Sequence, residues 1–199
     1  MLKTFHALVQ KTYDIMLDWS AHANAMFFLF LVAFAESSFF PIPPDVMIIP
    51  MVLATPNKAW RIAGLATLAS VLGGYFGYGI GVFAFDMIAK PILEFYNAAA
   101  QFHEFENYYH EYGAWIVFGA GITPFPYKII TIASGVVHLD LIVFTVASVL
   151  ARGMRFFLVA WLLKKYGAPM KIFIEKHLGI LSVIFLLLLI GGFAALKYL

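Results

Sequence analysis

Five ionisable side chains stand inside or beside long apolar stretches of this sequence: Glu36, Asp45, Lys128, Arg152 and Arg155. Arg152 and Arg155 fall near the centre of the apolar run Leu139 to Leu163, and their i, i+3 spacing puts both on one helix face. At such depth in a membrane each arginine costs roughly 2.5–3.5 kcal/mol on insertion scales, so it needs a function or a partner. Glu36 follows ten apolar residues and has no cation near it in sequence. Asp45, just past a proline cluster, either caps a helix starting near Val46 or joins the same chemistry. Lys128 can bind an anionic headgroup, pair with Glu36, or reach an interface on its long stem. An arginine fork and a lysine point charge both suit phosphate oxygens, and a carboxyl in this setting can exchange a proton. Ser37, Ser38, Thr123 and Tyr127 can donate to a phosphate or satisfy broken backbone. The five charges are expected to face one another across a polar cavity near mid-membrane, because scattered charges in hydrocarbon are too costly.

The elements that hold these residues read as an all-α, multi-pass membrane fold. Residues 1–22 alternate charge and bulk at near-helical spacing, as in an amphipathic surface helix. Residues 23–55 are apolar but broken at Pro41, Pro43 and Pro44. An unbroken helix of that length would span about 50 Å, whereas each arm is about 15 Å, half a membrane. The segment is therefore expected to be a re-entrant hairpin with its tip at the prolines. Residues 62–85 form a full span whose Gly73, Gly77 and Gly81 make a small-residue ridge for close helix packing. Residues 86–112 are polar and acidic, and are expected to form an extramembrane helical loop. The pattern then recurs: a broken segment over 113–137 with Pro124 and Pro126 at its tip, and a full span over 139–163. A last span covers 178–196. Interrupted apolar segments at matching positions of two halves point to a transporter site built on an inverted repeat. Lys164, Lys165, Lys171 and Lys176 place their loop, and with it the N-terminus, in the cytoplasm, and the C-terminus outside.

Composition excludes several classes. Of 199 residues, 63% are hydrophobic and 12% charged, and the mean hydropathy is +0.88. A soluble chain of this size could not bury so much apolar surface. There is no cysteine, hence no disulfide framework or thiolate chemistry. A net charge of +2 gives no nucleic-acid signature. The six histidines are scattered without a ligand spacing, so no metal is expected. No cofactor loop or nucleophile–base set is present, so an enzyme is not expected.

Three motifs together carry a resemblance. Glu36-xxxx-Pro41-x-Pro43-x-Asp45, Gly73-xxx-Gly77-Tyr78-xx-Gly81, and Thr123-Pro-Phe-Pro-Tyr-Lys128 with Ala133-Ser-Gly135 resemble the DedA family, also called the SNARE-associated or VTT-domain family. The likeness covers roughly Phe28 to Leu163 and is strongest to the small bacterial members of the YqaA-like branch. It implies a bacterial inner-membrane protein with two opposed re-entrant hairpins. It further implies translocation of a phosphate-bearing lipid, such as undecaprenyl phosphate or a phospholipid, often linked to protons. In the family an arginine precedes the second proline motif. Here Gly121 or a neighbour stands at that place, which leaves Arg152 and Arg155 to supply the charge. The expected partners are membrane lipids, protons and a second copy of the chain. A coupled small-solute transporter and a non-transporting scaffold are the alternatives that the same residues permit.

Overall fold

The structure is a computed structural model and describes residues 15, 19–40, 42–85, 87, 90–95, 99–123, 125–167 and 169. The expected surface helix falls mostly outside the described residues. Pro41, Pro124 and the expected span over 178–196 fall outside them altogether. Among the described residues the chain is all-helical, with α1 (Ala25–Glu36), α2 (Asp45–Ala54), α3 (Ala59–Ala84), α4 (Lys90–Phe95), α5 (Ala99–Ile122), α6 (Tyr127–Val136) and α7 (Leu141–Tyr166). A 3-10 turn, Pro56–Lys58, leads into α3.

Two segments, Pro56–Ala84 and Leu141–Tyr166, are long and apolar enough to cross a membrane. The 26 residues of α7 span about 39 Å at 1.5 Å per residue, against a hydrocarbon core of about 30 Å. The start of α7 is set by Asp140, whose carboxylate accepts hydrogen bonds from the Ile142 and Val143 amides at 2.9 Å. Its end is set by Gly167, whose φ of +67° only glycine adopts without strain. Trp115, Ile142 and Phe83 are 72–74% exposed, a surface suited to lipid and not to water.

Side-chain neighbours give the helix directions. Trp60 stacks on Phe157, Ser70 meets Arg152, and Tyr75 bonds Thr145, so α3 and α7 run antiparallel and cross at their middles. Gly113 lies against Leu139, Gly121 against Ala151, and Thr123 bonds Arg155, so α5 runs parallel to α7. Gly77 meets Thr131 and Gly81 meets Ile132 and Val136, so α6 runs parallel to α3. The chain therefore reverses direction between α5 and α6, at a point level with the middle of α7. In the first half, α2 begins beside Arg155 at mid-α7 and ends just before α3, whose Trp60 takes Lys164 on its ring at the C-terminal end of α7. Each ten-residue helix after a proline break thus covers half of a long helix, and in each case the long helix is the one in the other half of the chain.

Two apolar clusters result. One joins α1, α2, α3 and the later part of α7, and the other joins α5, α6 and the earlier part of α7. The acidic segment and the arm after it are not separate: Ala99–Ile122 is one continuous helix. No proline interrupts it, and Gly113 sits inside it without breaking it. Since Gly113 is level with Leu139, residues 99–112 extend beyond the start of α7.

Candidate functional site

The two apolar clusters meet at a polar seam. Arg152 is fully buried there, its guanidinium between the rings of Tyr127 (4.8 Å to the centroid) and Phe156 (4.6 Å). These contacts are cation–π in kind and replace hydration on both faces of the fork. In the plane of the fork, Nη2 donates to Glu36 Oε2 at 2.6 Å and Nε donates to Ser70 Oγ at 2.6 Å. Ser70 and Ser37 share a hydrogen bond of 2.7 Å, and Ser37 Oγ donates to Glu36 Oε2 at 3.2 Å. With Ser70 donating to Ser37, the four residues close a ring in which every donor has an acceptor, and such rings reinforce each bond. Nη1 of Arg152 lies outside that ring. Among the described residues it is the buried side-chain polar atom left without a partner.

Arg155, one turn further on, ties both breaks together. Its Nη2 donates to Asp45 Oδ2 at 2.7 Å and its Nη1 to the Thr123 carbonyl at 2.8 Å. Asp45 is buried and is the first residue of α2, yet it forms no side-chain cap there, so the capping role considered for it is not observed. Its carboxylate is drawn to a guanidinium instead, a stronger charge-assisted bond than one to an amide. Lys128 is half-buried and donates to the Phe40 carbonyl at 3.0 Å, linking the second break to the first. Among the described residues it forms no ion pair.

The five charges therefore converge, but not across a cavity: each acid touches its arginine directly. Glu36 pairs with Arg152 rather than with Lys128. The expected hydroxyl donors are engaged within the protein. Tyr127 donates to Ser148, Ser38 to the Phe34 and Gly73 carbonyls, and Thr123 to the Gly119 carbonyl. Pro44 and Pro126 stand at the N-caps of α2 and α6, and Pro43 lies in the connection between α1 and α2.

Glycines let the backbones meet. A Cβ on Gly73 would strike the Phe34 carbonyl of α1, one on Gly77 the Thr131 hydroxyl, and one on Gly81 the Ile132 carbonyl of α6. Gly135 answers from α6, pressed on the Tyr78 carbonyl. The ridge on α3 thus seats helices from both halves. At Gly121 a Cβ would come within 2.7 Å of Ala151 Cβ and 3.7 Å of Arg152 Cδ, so Arg152 already fills the space beside that position.

Ser70 and Phe156 were not anticipated. Ser70 carried a signal, being a hydroxyl within an apolar span three residues before Gly73 and on the same helix face. Phe156 carried none, because an aromatic in an apolar helix is ordinary.

The VTT domain matches residues 42–165, which contain Asp45, Lys128, Arg152 and Arg155, with Glu36 just before them. An uncharacterized protein of Haemophilus influenzae is 38% identical over 167 residues, covering 82% of this chain and 86% of the relative. An uncharacterized protein of Histophilus somni is 39% identical over 167 residues, covering 82% and 87%. No solved structure matches.

Proposed function

The chain belongs to the VTT-domain family, the domain of DedA proteins, and from that premise we propose that it moves a phosphate-bearing lipid between the leaflets of a bacterial inner membrane. Membership places it among membrane-associated proteins. The observation that carries the finer reading is the convergence of Lys128 from α6 and Arg155 from α7 on the two proline breaks at the middle of the long helices, with Arg152 one turn away on Glu36. Two acids face three cations, so the cluster retains one positive charge for an anion. Arg152 Nη1 adds a buried donor without a partner, an arrangement that asks for an acceptor. Gly73 meets the Phe34 carbonyl and Gly77 the Ser37 carbonyl, so α1 runs parallel to α3 and the chain also reverses between α1 and α2. The two reversals beside mid-α7, from opposite ends of the antiparallel α3–α7 pair, support two re-entrant hairpins related as an inverted repeat, with 1–199 as a single membrane domain. Alternating exposure of the cluster to the two sides then carries the headgroup across. Glu36 and Asp45 are the groups that can couple this movement to protons.

The closed ring around Arg152 favours a second reading, in which the charges only hold the hairpins together. Purified variants in liposomes separate the two. Fluorescent phosphatidic acid and undecaprenyl phosphate report translocation, and melting temperature reports stability. On the transport reading, Arg155→Lys keeps the charge but loses the fork, and slows translocation while the melting temperature holds. Lys128→Ala slows it by about tenfold, equivalent to about 1.4 kcal/mol, and Lys128→Arg restores part of it. On the scaffold reading, Arg155→Ala instead loses about 3–5 kcal/mol of stability by leaving Asp45 unpaired, while translocation by Lys128→Ala stays normal. That second pattern would discard the transport reading.

A further inference from the structure

The two ends of the antiparallel α3–α7 pair differ in charge. Where α3 begins and α7 finishes stand Lys58, Arg61, Lys164 and Lys165, all exposed. Neither α3, the turn before it, nor α7 contains an acid, and among the described residues none of the four cations forms an ion pair. The described acids other than Glu36 and Asp45 belong to α4 and α5 or are Asp140, at the opposite end. Two of the lysines rest on aromatic rings. Lys164 Nζ crosses from α7 to lie 5.3 Å from the centre of the Trp60 ring on α3. Lys165 Nζ lies 5.1 Å from the Trp161 ring and 5.3 Å from that of Tyr166. A ring face attracts an ammonium but has no net charge, so both positive charges are held in place and left uncancelled. Trp60 in turn stacks on Phe157 at 5.8 Å. Trp60, Trp161 and Tyr166 are 41–50% exposed, so this layer of rings is open to its surroundings.

We propose that this end of the molecule binds anionic phospholipid of the surrounding leaflet, with Lys164 and Lys165 engaging headgroup phosphates. The proposal is independent of transport through the central cluster. Charge says what covers the surface: four cations without a carboxylate call for an anion. The rings say at what level. Tryptophan and tyrosine gather where hydrocarbon meets headgroups, and a basic patch beside membrane helices at that level attracts acidic lipids. A lysine that only reaches for water extends along its stem, whereas these two are turned onto rings. Holding both ammonium groups in place beforehand lowers the ordering cost of binding. Phosphate then supplies what a ring cannot, a counter-charge and charged acceptor oxygens. Met154 and Leu158, half-exposed, share a helix face with Trp161 and Lys165 and continue the surface for about 15 Å toward the middle of α7. The fitting ligand is therefore an anionic head joined to acyl chains, and a free phosphate would leave the apolar part of the surface unused.

The test uses the full chain in phosphatidylcholine vesicles, with Trp19→Phe and Trp115→Phe so that Trp60 and Trp161 alone report. Phosphatidylglycerol and phosphatidylcholine, each brominated on the acyl chains close to the headgroup, quench tryptophan on contact. Titrating the two gives their relative association constant. Phosphatidylglycerol is expected to be favoured about tenfold. Lys164→Gln with Lys165→Gln should abolish the preference, while Lys164→Arg with Lys165→Arg should keep it, and matching melting temperatures show that both variants fold alike. Molar salt should reduce the preference in the chain that keeps both lysines. A chain whose sole tryptophan is Trp115, on α5 near the opposite end, should show none. Equal quenching by the two lipids overturns the proposal, as does a preference that survives loss of both lysines or is matched at Trp115. Displacement of phosphatidylglycerol by millimolar inorganic phosphate overturns it too, since the surface then takes a free anion. So does quenching by neither lipid while Trp60→Cys cross-links to residues 170–199 or to a second copy, which would then be what covers the rings.

Discussion

Arg152 and Arg155 differ by three positions and by their surroundings. Arg152 is sealed between two rings and closed into a hydrogen-bonded ring, whereas Arg155 spans two breaks and ends on a neutral carbonyl. A buried ion pair that loses one member leaves a charge without compensation, at about 3–5 kcal/mol. Glu36→Gln and Arg152→Gln should therefore each lower the unfolding free energy by about that much, while the double variant loses clearly less than their sum. A double-mutant cycle in detergent measures the coupling, expected at about 0.5–3 kcal/mol; strict additivity would mean the pair is not an energetic unit. That these side chains matter was legible in the sequence, because charge within an apolar run must find a partner. Which acid takes which cation was not. Glu36 lies 116 positions from Arg152, and the choice depends on Ser70 being brought to the same point by a third helix.

At the scale of elements, the contact between α3 and α6 is one of backbone on backbone. Gly81 and Gly135 each face a main-chain carbonyl that cannot rotate away, so Gly81→Ala or Gly135→Ala forces the helices apart. Overpacking of this kind costs typically about 1–3 kcal/mol, and both variants should melt at a lower temperature. Gly79→Ala provides the contrast. A Cβ there meets nothing within 4 Å, and replacing a mid-helix glycine contributes about 0.5–1 kcal/mol of stability, so its melting temperature should hold or rise. The glycine spacing announced a packing ridge, but it did not say that one ridge would serve both halves. The acidic stretch before Gly113 misled in a different way. Its change of polarity falls within one continuous helix, and polarity alone does not distinguish a change of surroundings along a helix from the end of the helix.

For the whole molecule, the antiparallel α3–α7 pair acts as an axis on which each half lays its short helix across the other's long one. If the breaks are re-entrant, Asn24 and Lys58 lie on one side of the membrane and Asn107 on the other. The chain has no native cysteine, so Asn24→Cys, Lys58→Cys and Asn107→Cys can each be labelled singly with an impermeant maleimide in oriented vesicles. Labelling of Asn24→Cys and Lys58→Cys from opposite sides would make the first segment a kinked full span. The outer form of this arrangement could be read from broken apolar runs of matching length; the exchange of partners between halves could not, being a property of space rather than of order along the chain. Lys128 gives the arrangement an electrical side. Its ammonium rests on the Phe40 carbonyl, a dipole that holds the charge without cancelling it. On the proposed transport reading, an empty cluster that turned from one face to the other would drag a net positive charge through the transmembrane field, worth about 2.3 kcal/mol per 100 mV for a full crossing. A cluster carrying a singly charged phosphate would turn electrically silent. Voltage would then act on the unloaded return and leave the loaded passage untouched, making the membrane potential a clock for how soon the carrier is ready again.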